Sequence, residues 1–381
     1  MVIAVIGAGM IGAAAARHLT QDGHEVVLIG PPEPQDKSTH HGVFGSHYDE
    51  GRITRALDPW PFWSRASRAS IARYRQIEAD SGIRFFHETG TVMAGDEDSP
   101  YIRRLCQVQQ DQALPCDRLQ GDELARRFPF FQFDPGTLAL FEGQGAGHIN
   151  PRALVRAQIR IAERAGARRL PDTVLGLDET ATGLRIRTDQ GDVLASQVLV
   201  AAGGFANMIL PQPLPLVVYA RTVVLLEIDA AETARLAAMP SLIWLEPDGN
   251  DPYLLPPIRY PDGRTYLKMG GDVVDVVLRD TQDIQDWFRG GGNAAVGRML
   301  EAQVKARMPG LVVQSAHVQP CVTTFTPQNI PALDRLSPRL SVAVGGCGRG
   351  AKCSDELGRL GAELALGRNL PAWAKEAAVP T

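Results

Sequence analysis

Apolar residues fall in short runs punctuated by glycine and proline, and no run is long enough to span a bilayer. Val2–Ile6 is apolar throughout and rich in β-branched residues, which predicts a buried parallel strand. Gly7-Ala8-Gly9-Met10-Ile11-Gly12 follows at once, Ala13–Gln21 predicts a helix, and Glu25–Ile29 predicts a second strand. In such a strand–turn–helix–strand unit, Gly7 permits the tight turn, Gly9 admits a pyrophosphate and Gly12 lets helix and strand pack closely. The helix start adds unpaired N–H groups and a positive dipole end. A dinucleotide site is expected here, and the apolar start is expected to be folded protein, since no basic residue precedes Arg17. Strand two ends at Gly30-Pro31-Pro32 without the usual acidic residue, so Glu33 is the nearest carboxylate for a ribose hydroxyl.

Further along, the pattern predicts a helix within 59–80 and strand-like alternation over 83–93. A second α/β unit follows: a helix from Pro151, strands at 172–177 and 183–188, and the apolar run Val198–Ala201 closing in Ala202-Gly203-Gly204. Strands are expected at 216–228 and 266–269, and helix over 283–308 broken at 290–292. The last unit is a strand at 340–344, a glycine-rich turn at 345–350 and a helix from about Ser354. The resulting partition is a discontinuous cofactor domain (1–80, 145–215, 310–381) with a substrate domain inserted as 81–144 and 216–309.

Composition narrows the class. The 381 residues carry 39 Lys+Arg against 43 Asp+Glu, a net charge of −4, which offers no electrostatic case for nucleic acid or an anionic membrane. Five cysteines without a CxxC fit a reducing cytoplasm better than a disulfide scaffold. His40, His41 and His47 lack metal-ligand spacing, and no metal is expected.

Three segments concentrate chemistry. Ser46-His47-Tyr48-Asp49-Glu50-Gly51-Arg52-Ile53-Thr54-Arg55 carries two arginines three apart, which a helical turn would bring to one side. They can grip a carboxylate, or form a surface ion-pair network with Asp49 and Glu50. Lys268, in Tyr266-Leu267-Lys268-Met269, faces either the interior or a solvent edge, and Cys321 is either functional or an ordinary buried thiol. Gly345-Gly346-Cys347-Gly348-Arg349-Gly350-Ala351-Lys352 allows close backbone approach beside two cations. Arg349 can alternatively pair with Asp355 or Glu356.

Taken in order, these anchors resemble the amine-oxidising branch of the D-amino-acid-oxidase-like flavoproteins, particularly the monomeric sarcosine oxidase and N-methyltryptophan oxidase family. The resemblance implies an α/β fold: a Rossmann-like FAD-binding domain, with Gly7, Gly9 and Gly12 at the FAD pyrophosphate, and an inserted α+β domain whose mixed sheet roofs the flavin. It sets Ser46, His47, Gly348 and Gly350 against the cofactor and Arg52 beside the flavin. Arg55 and Lys352 would bind the substrate carboxylate, and Lys268 would assist reaction with oxygen. Cys321, in a C-x-x-T-x-T-P segment, corresponds to a cysteine covalently linked to the flavin.

The implied reaction oxidises a small secondary amino acid at its N–CH bond, passing a hydride equivalent to flavin N5. Molecular oxygen then reoxidises the flavin to give hydrogen peroxide. Arg349 replaces a small or imidazole-bearing residue, so a second substrate carboxylate, as in iminodiacetate, stands beside sarcosine as a candidate. A cytoplasmic monomer is expected. The alternatives are a related amino-acid oxidase or dehydrogenase with a bulkier amine; a nicotinamide dehydrogenase leaves Cys321 and the C-terminal loop unexplained.

Overall fold

The computed structural model describes residues 2–378. Its first sheet has six strands in the spatial order Ala332–Ser337, Leu340–Val344, Gln197–Val200, Val2–Ile6, Glu25–Ile29 and Arg168–Leu170. Neighbours run parallel except in the terminal hairpin of Ala332–Ser337 with Leu340–Val344. Alternate residues serve opposite faces. Ile3, Val5, Val26 and Leu28 join one core, against the helices Met10–Gln21, Pro151–Arg164 and Gly350–Ala365. Ala4, Ile6, Val27 and Ile29 join another, against the three-stranded meander 174–195. Burial on both faces explains why these strands read as continuous apolar runs.

Close packing of the first and last helices depends on small residues. A Cβ on Gly358 would stand 2.6 Å from the Ala14 Cβ. The same helices are joined by charge: Asp355 is fully buried and receives Arg17 at 2.7 Å and Arg73 at 2.5 Å.

The larger sheet has nine strands and is mostly antiparallel, with one parallel pair, Ser241–Trp244 beside Thr91–Asp96. This gives an α/β cofactor-binding fold with an inserted mixed-sheet domain. Ser315–Phe325 pairs along its whole length with Val217–Ile228 of the larger sheet, although the sequence partition grouped 310–381 with the cofactor domain. The strand has one partner and only Val322 and Thr324 are buried, so its apolar alternation is faint.

Two local expectations need correction. Arg52–Thr54 is a strand paired with Gly147–Ile149, so Arg52 and Arg55 do not share a helical turn. The last helix starts at Gly350, four residues earlier than expected, because the small residues at 350 and 351 join its first turn and do not extend the glycine turn. Lys352 therefore stands in its first turn. The glycine run at 290–292 does separate two helices, Thr281–Arg289 and Ala294–Arg307. Among the described residues no helix is long and apolar enough to cross a membrane.

Candidate active site

A cavity of about 470 Å³ runs from the first glycine turn to the strand that carries Cys321 and the C-terminal loop. Its cradle is cut to backbone dimensions. A Cβ on Gly7, which has φ +109°, would lie 2.5 Å from the Ala201 carbonyl, and one on Gly12 would lie 1.8 Å from the Gly7 carbonyl. Gly9 meets nothing nearer than the His47 ring at 3.7 Å and stays open to the cavity. The helix Met10–Gln21 has no side-chain cap and no acidic residue in its first turn, and the same holds for Gly350–Ala365. Two uncapped helix N-termini thus face one elongated cavity, which suits a cofactor rich in phosphate and polarisable rings.

Ser46, His47, Gly348 and Gly350 line this cavity, as do Arg52, Arg55, Cys321, Arg349 and Lys352. Burial lowers the His47 imidazole to about 4, so it is neutral near pH 7. Glu33 is placed elsewhere. Arg152 takes both of its oxygens at 2.7 Å and Lys37 approaches at 3.0 Å, which leaves Glu33 outside the cavity lining. Sequence proximity suggested a ribose contact; the arginine fork on the helix Pro151–Arg164 decides otherwise.

Lys268 is fully buried on the strand Thr265–Gly270, between Leu225 and Leu255 of the strands on either side. A strand paired on both sides has no solvent edge, so the edge reading fails. Its Nζ donates to the Gly51 carbonyl at 2.8 Å and pairs with Asp49. Asp49 also accepts the Tyr260 hydroxyl at 2.9 Å and pairs with Arg52 at 2.9 Å. Burial alone would raise the Asp49 carboxyl, but Lys268 and Arg52 outweigh it and hold it well below the usual range. Burial, aided by Arg52 and opposed by Asp49, brings Lys268 down to about 8. Lys268 does not itself line the cavity; Tyr253 does, with its ring 5.9 Å from the ammonium. Arg52 donates to the Ser46 carbonyl at 2.9 Å and to the Cys321 sulfur at 3.3 Å.

Opposite this cluster stands a second one. Arg55, Arg349 and Lys352 converge on Asp58, a buried residue that the sequence reading passed over. Its only sequence signal was an acid three residues beyond Arg55 and just before Pro59. Arg349 does not reach Asp355 or Glu356, whose carboxylates are taken by Arg17, Arg73 and Arg359. Buried Arg349 Nε has no hydrogen-bond partner, which is costly for a guanidinium unless a ligand completes it.

The fold and cavity define an α/β protein with a dinucleotide-type glycine turn, whose inserted domain lines the far part of the same cavity. Residues 3–364 match the FAD dependent oxidoreductase family, and the chain belongs to that family. It is a flavin-dependent oxidoreductase. Monomeric sarcosine oxidase of Arthrobacter sp. (strain TE1826) is 26% identical over 380 residues, covering 96% of this chain and 92% of that protein. N-methyl-L-tryptophan oxidase of Yersinia pestis (strain Pestoides F) is 26% identical over 209 residues, 54% of each chain. Among solved structures, the open form of NikD, an unusual amino acid oxidase, superposes with a TM-score of 0.77 at 20% identity, covering 99% of this chain and 96% of that one. Iminodiacetate oxidase from Chelativorans sp. BNC1 does so with 0.75 at 19% identity, covering 99% and 98%.

Proposed function

We propose that this protein oxidises the N–CH bond of a small secondary amino acid, an N-substituted glycine, and passes the electrons to molecular oxygen to give hydrogen peroxide. The observation that carries this reading is the cationic wall of buried Arg55 and Lys352 and partly buried Arg349 at one end of the cavity. Three cations against one internal carboxylate leave a surplus that an anionic substrate neutralises. Bound FAD supplies the redox chemistry, taking a hydride equivalent from the substrate carbon and returning electrons to oxygen.

The chain's own residues supply geometry and field. Arg55 and Lys352 hold the substrate carboxylate, which fixes the N–CH carbon relative to the cofactor. Arg349 lines the cavity beside Lys352 and would meet a second carboxylate, which favours a dicarboxylic substrate such as iminodiacetate over sarcosine. Arg52 and Lys268 would place positive charge near the bound flavin and would stabilise the negative charge that develops as oxygen is reduced. Cys321 is the proposed covalent attachment point. Its sulfur lines the cavity and is met by Arg52. Acid-denatured protein should then keep its flavin on the polypeptide, and Cys321→Ser should release it; flavin that washes off the unaltered protein removes the covalent link.

A dehydrogenase reading is favoured by one observation: Lys268 is held by Asp49 and Gly51 just outside the cavity lining. An anaerobic spectral screen of the purified flavoprotein against sarcosine, iminodiacetate and bulkier N-methyl amino acids tests the substrate class. Bleaching by none of them defeats the proposal, and reoxidation by an artificial dye but not by oxygen selects the dehydrogenase.

A further inference from the structure

Three cations meet one oxygen atom in the substrate wall. Lys352 Nζ lies 3.1 Å from Asp58 Oδ2, while Arg55 Nη2 and Arg349 Nε each lie 3.4 Å from it. All three cations line the cavity, whereas Asp58 is fully buried and does not. The carboxylate sits behind the wall and is tied there. Its other oxygen accepts the Trp60 N–H at 3.1 Å. The two preceding residues, Ala56 and Leu57, donate their N–H groups to Glu142 at 2.8 and 2.9 Å.

Such a wall does not assemble unaided. Like charges repel, burial disfavours each of them, and Arg349 and Lys352 stand at the N-terminal end of the helix Gly350–Ala365, where the dipole opposes cations. We propose that Asp58 is a positioning residue that sets substrate specificity: it gathers Arg55, Arg349 and Lys352, keeps Lys352 charged, and leaves a net positive wall for a substrate bearing two carboxylates. The inference rests on the reading of the cavity as an amino-acid site and assigns its charge preference to a residue that touches neither substrate nor cofactor.

The remaining charged groups add one carboxylate at the rim to this count. Asp251 stands at the rim, half-exposed, 3.8 Å from Arg349 Nη2 and hydrogen-bonded by Tyr101 at 3.3 Å, a loose contact that a substrate carboxylate can replace. Lys352 is faced by Asp58, by the Ser67 hydroxyl at 2.6 Å, by Arg55, and by the Cys353 thiol and Glu142. Arg349 shares its contact with Asp58. Burial lowers the Lys352 ammonium and Asp58 opposes that fall. Without Asp58, Lys352 releases its proton at a lower pH and regains it only when an anion arrives.

The test uses the flavin-loaded protein and two ether probes that lack an oxidisable N–CH bond: oxydiacetate with two carboxylates and methoxyacetate with one. Bound-flavin absorbance reports their affinity, and calorimetry in two buffers of different ionisation enthalpy reports proton uptake. The unaltered protein is expected to bind oxydiacetate about tenfold or more tightly than methoxyacetate, the effect of one added charge-assisted contact. Equal affinities overturn the proposal. In Asp58→Asn the alkaline loss of oxydiacetate binding should move to lower pH, by about one pH unit or more, with more proton uptake on binding than in the unaltered protein. An unchanged pH limb and unchanged uptake make Asp58 merely structural. If Asp58→Asn does not hold flavin, adding Lys352→Met removes one cation with the lost anion and should restore a folded flavoprotein; a double variant as unstable as the single overturns the charge-balancing role. Turnover separates this inference from the broader reading. A protein that oxidises secondary amino acids but shows no Asp58→Asn effect retains the function and loses the inference. One that oxidises none of them but shows the pH shift does the reverse.

Discussion

The Lys268 and Asp58 clusters are built from the same parts and do different things. In the first, one buried aspartate faces two cations, and Asp49 is further satisfied by Tyr260 while Lys268 is satisfied by the Gly51 carbonyl. In the second, one buried aspartate faces three cations, and Arg349 Nε, 3.4 Å from that carboxylate, makes no hydrogen bond. A cluster whose aspartate and cations are largely paired within the protein acts as a near-fixed electric field. An unsaturated one is a receptor, since its surplus must be met by a ligand. The contrast teaches that burial of charge does not itself mark a binding site; the count of unmet donors does.

Breaking the fixed field should have the largest effect. Lys268→Met is expected to slow reoxidation of the enzyme by oxygen about 100-fold or more while leaving most of anaerobic reduction intact. Stopped-flow traces of the two half-reactions decide this, and unchanged reoxidation at full flavin content would assign Lys268 to structure alone. The same cluster sets a pH dependence. Because Lys268 is brought down to about 8, its cation is present below that pH and lost above it. Reoxidation should therefore fall as pH rises through about 8, and the Met variant should lack that limb.

Weakening the receptor comes next. Arg55→Ala removes a charge-assisted contact shared by all substrates, so kcat/KM should drop about 10–150-fold for mono- and dicarboxylic amines alike, from roughly 1.5–3 kcal/mol. Arg349→Ala should reproduce that loss only for the dicarboxylic substrate, and equal fractional losses on both would return sarcosine to first place. The smallest effect belongs to a residue outside both clusters. Glu33→Gln breaks a partly exposed ion pair with Arg152 and should cost about 0–1 kcal/mol in thermal unfolding, with flavin affinity unchanged. A large loss of flavin affinity there would restore the ribose role that sequence position suggested.

Much of the fold was legible because its signals are local. Val2–Ile6 and Glu25–Ile29 advertise strands buried on both faces, and Gly7 and Gly12 stand where a side chain has no room. Ser315–Phe325 was harder to place, since a strand with one partner and few buried positions carries little periodicity. In the candidate site, Arg52, Arg55, Lys268, Cys321 and Lys352 stood out as cations or a thiol in glycine-rich or strand-like settings. Asp58 did not, because an aspartate before a proline looks like any turn residue until two distant cations are folded onto it beside Arg55.

The division follows from the range of the forces involved. Backbone sterics and apolar periodicity act between near neighbours, so the chain alone determined the glycine turn, the parallel strands and the supply of cations. Partner choice among charges depends on which side chains arrive within a few ångströms after residues far apart in the chain are brought together. Only the tertiary structure could send Glu33 to Arg152, bury Lys268 against Asp49, and set Asp58 beneath Arg349 and Lys352. Coulomb interactions at such distances are strong where water is excluded and weak where it is not. Whether a charge is a surface ornament or part of a site was therefore decided by folding, not by its place in the chain.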